Sequence, residues 1–348
     1  MTVKTLPPDL LAPIVQAPMA GANNHRLAAA VCQAGGLGSL PAAMLSPADL
    51  RSELQALQQA TQRPYNVNFF CHTPPTPDAQ AQTEWQATLA PYYQAMGLAP
   101  NTASSGTGRV PFNHAAADVL QAFRPAVVSF HFGLPAPDLL ARVKSWGSLV
   151  LSSATTVAEA LWLQAHGADA IIAQGLEAGG HRGMFLSDDL STQIGTFALL
   201  PQIVQAVNLP VIAAGGIATP AGVAGAKALG AAAVQIGTAY LCSHEATTSP
   251  LHRVALQSSA AQHTALTKVF TGRPARGIVN RVMRELGAMH QVPAFPLATA
   301  DMAPLRAAAE AQGSSDFTPL WAGQNASGCH AAFAADITRD FLNAWHAA

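Results

Sequence analysis

Residues 167–183 read GADAIIAQGLEAGGHRG, and the fold of the chain is argued outward from them. Gly167 stands where a helix ends. The apolar run Ala170–Gln174 that follows has the length and composition of a strand buried on both faces, as in a parallel sheet. A glycine-rich loop comes next, carrying Glu177 and His181. Loops at the C-terminal ends of parallel strands are where β/α barrels keep their chemistry. Glycines before His181 and the pair Arg182-Gly183 after it let backbone and ligand approach the imidazole closely. A single histidine among the chain's 12 is more often structural than catalytic, so the position after a strand and between glycines is what makes this one a candidate.

The same alternation runs through the chain. Eight short apolar runs, at 14–18, 36–40, 65–70, 126–130, 149–152, 170–174, 210–214 and 233–236, are separated by alanine-rich helical stretches. Helices are expected at 25–34, 47–61, 136–146, 156–166, 197–207 and 219–229. Ser46-Pro47 and Thr219-Pro220 read as an N-cap followed by proline in the first turn, and Gly167 and Gly230 sit where C-caps belong. HGADAIIAQG from His166 and LGAAAVQIGT from Leu229 echo one another as repeated β/α units. Eight such units predict a closed (β/α)8 TIM barrel rather than an open doubly wound sheet.

Between the third and fourth strands, residues 71–124 are longer than one crossover helix needs. They hold Pro74, Pro75 and Pro77, a helical stretch at 80–96 and a Gly/Ser-rich break at 101–109. With the helical C-terminal segment they predict a smaller, mainly helical second domain over the top of the barrel. The expected division is 1–72 and 120–242 for the barrel, and 73–119 and 243–348 for the second domain.

Half of the 348 residues are apolar, 11% are charged and the formal net charge is -1, which describes a chain with a large core. No run of Lys or Arg offers a nucleic-acid or anionic-membrane surface. Cys32, Cys71, Cys242 and Cys329 are far apart in sequence and form no CxxC pair, arguing against a zinc site or a disulfide framework. No metal is expected. With no signal-peptide pattern and no membrane-span-length apolar run, the expectation is a soluble cytoplasmic protein.

The loops after the strands supply the candidate site. Ala17-Pro18-Met19 opens a small-residue turn that either packs against a flat aromatic ligand or is simply a turn. Asn68 alternates with Val67, so one of the two faces inward, and an inward amide can hydrogen-bond a heteroaromatic ring. Gln174 is a second such amide. Gly215-Gly216 follows the seventh strand, and Gln235, Gly237 and Thr238 come at the end of the eighth. These two loops are the usual phosphate site of barrels, where glycine lets backbone N–H groups approach the anion and a threonine adds a hydroxyl. Together they predict a phosphate-bearing cofactor. No GxGxxG opens a first βα turn, which weighs against a Rossmann site. Glu177 either orients His181 or pairs with Arg182. No Lys, Asp or Glu lies in the eight strands, so a lyase or isomerase using such groups has little support.

Ala17-Pro18-Met19-Ala20-Gly21, Val67-Asn68-Phe69, residues 174–183 (QGLEAGGHRG), Ala214-Gly215-Gly216-Ile217, Gln235-Ile236-Gly237-Thr238 and Trp321-Ala322-Gly323-Gln324 resemble the nitronate monooxygenases, the bacterial class I type most of all. The resemblance spans nearly the whole chain, EAGGHRG is its most specific element, and FTGRPARG at 270–277 also looks like a family segment. It implies an FMN enzyme that oxidises alkyl nitronates, propionate 3-nitronate among them, with O2 through a flavin semiquinone to a carbonyl product with nitrite and nitrate. It further implies that Ala17, Pro18, Met19, Asn68, Gln174, Gly179, Gly180, Gly215, Gly216, Gln235, Gly237 and Thr238 hold FMN and that His181 is catalytic. A histidine there serves either protonated, stabilising the bound anion, or neutral, taking the α-proton of a nitroalkane. FMN-dependent enoyl-acyl-carrier-protein and quinone reductases, which use NAD(P)H, look similar and remain the alternative. Expected partners are small molecules alone, with the protein a monomer or homodimer.

Overall fold

The computed structural model describes residues 12–99 and 109–348. The Gly/Ser-rich break at 101–108 and the N-terminal residues read for a signal peptide lie outside the described residues. The expected apolar runs are strands to within a few residues: β1 (Ile14–Gln16), β2 (Ser39–Pro41), β3 (Asn66–Phe70), β4 (Val127–His131), β5 (Leu149–Ala154), β6 (Ala170–Gln174), β8 (Val211–Ala214) and β9 (Ala233–Ile236), with the short β7 (Gly180–His181) inside the loop after β6. The eight longer strands are parallel, in the order β1-β9-β8-β6-β5-β4-β3-β2. A parallel bridge between Val15 and Leu37 joins the two ends, Leu37 N–H donating to Ile14 O at 2.8 Å and Gln16 N–H to Leu37 O at 2.9 Å. The sheet is therefore a closed (β/α)8 barrel.

Strand alternation builds two cores from one chain. Val15, Leu37, Val127, Leu151, Ile172 and Ile212 pack together within the barrel. Their neighbours Ile14, Ile171 and Ala213 pack outward with Leu27, Val31, Leu199 and Ile203 of the surrounding helices. The interior also carries a polar layer: Asn66 Nδ2 donates to Ser39 Oγ and Ser129 Oγ, and Gln16 Oε1 accepts from Ser39 N–H. The C-terminal ends of barrel strands are where this class of fold generally meets its ligands.

The helices are α1 (His25–Gln33), α2 (Pro47–Ala60), α3 (Ala79–Ala95), α4 (His114–Phe123), α5 (Pro137–Ser145), α6 (Val157–Ala165), α7 (Thr196–Ala206), α8 (Pro220–Ala228), α9 (Pro250–Leu256), α10 (Arg281–Leu286), α11 (Thr299–Ala311) and α12 (Ala334–Ala347). The predicted caps form: the Ser46 and Thr219 side chains accept from Asp49 N–H and Gly222 N–H. None of the described helices is long and apolar enough to cross a membrane.

The second layer has its own core, in which Trp85, Leu89 and Tyr93 of α3 meet Phe270, Val282, Met302, Leu305 and Phe317. The inserted helix and the C-terminal segment are thus held together by shared burial. One helix expected in this layer, α12, and one that the expected boundary at 119/120 divides, α4, pack elsewhere. Helix α4 lies against α2 and α5, and α12 against α1 and α8, in the ring of barrel helices. The physical reason is that the third and eighth strands each need a helix to cover their outer faces, and the chain supplies it only after the extra segment. The layer also holds a small antiparallel sheet, β10 (Thr264–Thr267), β11 (Ala275–Ile278) and β7, which was not expected of a mainly helical unit.

Candidate active site

All thirteen candidate residues come together. Ala17, Pro18, Met19, Asn68, Gln174, Gly179, Gly180, His181, Gly215, Gly216, Gln235, Gly237 and Thr238 line one cavity of about 320 Å³ at the barrel's C-terminal mouth.

His181 is placed from three sides. It lies on β7, where it pairs with Ala275 of β11, so the segment FTGRPARG forms one wall of its loop. Its carbonyl accepts from Gln174 Nε2 and His131 Nε2, each at 3.0 Å. Its Nε2 lies 2.9 Å from Thr271 Oγ1. Phe295, Trp321, Phe70 and Phe132 surround the imidazole at ring-centre distances of 5.3, 5.6, 6.1 and 6.2 Å. Burial among these rings, with Arg109, His131, Arg273 and His72 nearby, holds its pKa well below the usual histidine value. This lowering favours the uncharged imidazole, the form suited to taking a proton.

Gln174 does more than face the cavity. Its Nε2 donates to His181 O and its Oε1 accepts from Gly183 N–H at 2.8 Å, so the amide clamps the loop. Arg182 is fully buried and braces the same loop, donating to Gln174 O, Gly175 O and Gln193 Oε1. Glu177 takes neither expected role. Its carboxylate accepts from Thr196 N–H and Thr196 Oγ1 and so caps α7, where the helix dipole favours a negative charge.

Asn68, not Val67, faces inward: Val67 packs with Leu54 and Leu120 beneath the helices. Asn68 Nδ2 donates to Ser129 O and Oγ at 3.2 and 3.0 Å. Its donors are thereby tied to the barrel. Gln235 Oε1 is buried without a hydrogen-bond partner, an acceptor left for a ligand donor. Gly215 and Gly216 have φ of 113° and 71°. A Cβ on Gly215 would stand 2.9 Å from Thr196 Oγ1, so only glycine permits this turn. Thr238 Oγ1 accepts from Gly323 N–H at 3.0 Å and keeps its own hydrogen to donate. An unpaired acceptor below, open backbone turns above and a free hydroxyl beside them fit a flat heteroaromatic ring carrying a phosphate.

The late segment WAGQ closes one side. Gly323 and Gln324 bond to Thr238 and Glu177, and Asn325 Nδ2 donates to Gly216 O at 3.1 Å. Nitronate monooxygenase is the family whose model matches residues 7–339. The chain belongs to that family. It is 42% identical over 323 residues to the nitronate monooxygenase of Paraburkholderia phytofirmans, covering 90% of this chain and 87% of that one. The Pseudomonas aeruginosa nitronate monooxygenase is 39% identical over 334 residues, 95% of each chain. Among solved structures, nitroalkane oxidase from Streptomyces ansochromogenes superposes with a TM-score of 0.89 at 38% identity, covering 97% of both chains. FabK from Thermotoga maritima superposes with a TM-score of 0.70 at 27% identity, covering 98% of this chain and 94% of that one. As a nitronate monooxygenase family member, the protein is a flavin-dependent oxidoreductase.

Sequence reasoning passed over several neighbours of His181. His131 ends β4 at the same rim, with Ser153 Oγ 3.0 Å from its Nδ1, and the predicted strand stopped one residue short of it. The rule that found His181, a histidine at a strand's C-terminal end, applies equally to His131. Thr271, Phe295 and Arg109 come from the second layer or its approach; Thr271 lies in the singled-out segment FTGRPARG without a role assigned to it, and no local pattern marks Phe295 or Arg109.

Proposed function

We propose that the protein binds FMN and oxidises alkyl nitronates, propionate 3-nitronate among them, with O2, to a carbonyl product with nitrite and nitrate. The observation that carries this reading is a histidine enclosed by aromatic rings in the same cavity as an unpaired amide oxygen and a glycine-lined turn suited to an anion. The residues suited to hold the cofactor are Gly215, Gly216, Gly237 and Thr238 at its phosphate, Ala17–Pro18–Met19 and Gly179–Gly180 against its ring, and Asn68 and Gln235 as acceptors. The chemistry supplied by bound FMN is acceptance of electrons from the nitronate and their passage to O2.

The chain's own residues do the rest. The rings around His181 exclude water. The Thr271 hydroxyl reaches Arg273 O at 3.4 Å, an arrangement in which Thr271 Oγ1 accepts from His181 Nε2–H. Nδ1 then carries the lone pair. That nitrogen takes the α-proton when a neutral nitroalkane is the substrate. Gln174 and His131 fix the loop, so the imidazole is already in place.

The test is anaerobic mixing of the purified holoprotein with propionate 3-nitronate and, separately, with NADPH, following flavin absorbance. A response to nitronate alone is expected. Bleaching by NADPH with nitronate inert would move the protein to the reductases. His181→Asn is expected to keep its flavin and lose about 100- to 10,000-fold in nitroalkane turnover.

A further inference from the structure

We infer that Arg109 selects the substrate by anchoring a carboxylate on the tail of the nitronate whose reacting end lies at His181. The inference rests on the nitronate reading and assigns its specificity to one residue. Among the described residues two Arg or Lys side chains line the cavity, Arg109 and Arg306, and no Asp or Glu does. Arg306 is spoken for, with Nε 2.7 Å from Glu310 Oε1. Arg109 pairs with no carboxylate among the described residues, and the preceding stretch 100–108, PNTASSGTG, contains no acid. Its Nη1 reaches the neutral Thr299 Oγ1 at 3.4 Å, and its Nε is buried without a partner. A guanidinium drawn out of water without a counter-charge costs stability, and the cost is removed when an anion arrives.

Position gives the anion its identity. Arg109 Cζ lies 5.7 Å from the Phe295 ring centre, and the His181 ring centre lies 5.3 Å from that same point. A short substrate spanning the two groups carries one polar end to each. The cofactor's phosphate belongs to the glycine turns at 215–216 and 237–238, leaving this fork to the substrate. Guanidinium geometry matches a carboxylate bidentately, which a lysine ammonium does not reproduce.

The experiment uses wild-type, Arg109→Met and Arg109→Lys holoenzymes with two nitronates of similar size, propionate 3-nitronate and propyl-1-nitronate. Arg109→Met is expected to raise KM for propionate 3-nitronate roughly 10- to 100-fold, with kcat and the propyl-1-nitronate KM little changed and Arg109→Lys intermediate. Flavin-absorbance titration with propanoate, which is not oxidised, is expected to weaken likewise in Arg109→Met, with propanamide unaffected. The ligand-free variant is expected to melt no lower than wild type, separating lost recognition from lost folding. Equal effects on both nitronates, or no effect on either, overturn the inference. Should wild type turn over neither nitronate, the functional reading falls and the propanoate titration still decides the role of Arg109.

Discussion

Desolvation by four aromatic rings is the first cause of His181's lowered pKa, with Arg109 the largest of its charged neighbours. A base kept neutral this way is fully available throughout the physiological range, because its protonated form is reached only well below pH 6.5. The kcat/KM profile for a neutral nitroalkane is therefore expected to show no His181 limb between pH 6 and 8, with the acid-side loss lying well below pH 6.5. A limb centred near 6.5 in a pH–rate series would contradict the burial argument. His131 behaves in the same way, burial pushing it down to about 4, which suits the neutral ring that its bonds to Ser153 and His181 O require.

At the level of the element, the loop after β6 is tuned for close approach. A Cβ on Gly179 would stand 2.6 Å from Ala322 C and Gly323 N, and both are backbone atoms that cannot swing aside. Gly179→Ala is expected to displace the WAGQ segment, costing about 1–3 kcal/mol and weakening flavin retention. Thermal melting and flavin content after dialysis check this. Gly180 differs: its φ is 72° and a Cβ there meets nothing within 4 Å. The barrel strands and caps were legible because period, proline and glycine are local signals, as at Ser46-Pro47 and Thr219-Pro220. Glu177 shows where locality ends, since its partner Thr196 lies in the next helix and no spacing rule links them. Thr271 and Trp321 fall in the singled-out segments FTGRPARG and WAGQ, but nothing local joins them or Phe295 to His181. Thr271, Phe295 and Trp321 stand about 90 to 140 residues downstream and meet it only through tertiary packing. Helix α12 was expected in the second domain and α4 across its boundary, since helical composition does not say which sheet a helix covers.

For the whole molecule, the buried histidines set acid stability. His72, His131 and His252 are each lowered to about 4, with burial the first cause in every case. The unfolded chain binds protons at these sites from about pH 6.5 downward, whereas the folded one resists until about 4. Stability is full above pH 6.5 and is lost progressively as pH falls toward 4. Melting temperatures across that window are expected to drop steeply, and to change little from these groups between pH 7 and 8. A flat melting temperature from 6.5 to 4 would overturn the assignment. The pairing of β7 with β11 carries one more consequence. His181, the proposed proton acceptor, hangs from the barrel by its loop and is buttoned to the outer layer by strand pairing, so neither body owns it. Exchanging the outer layer for that of a relative would therefore exchange part of the catalyst, and a chimera made to alter specificity would have to carry residues 264–278 across intact.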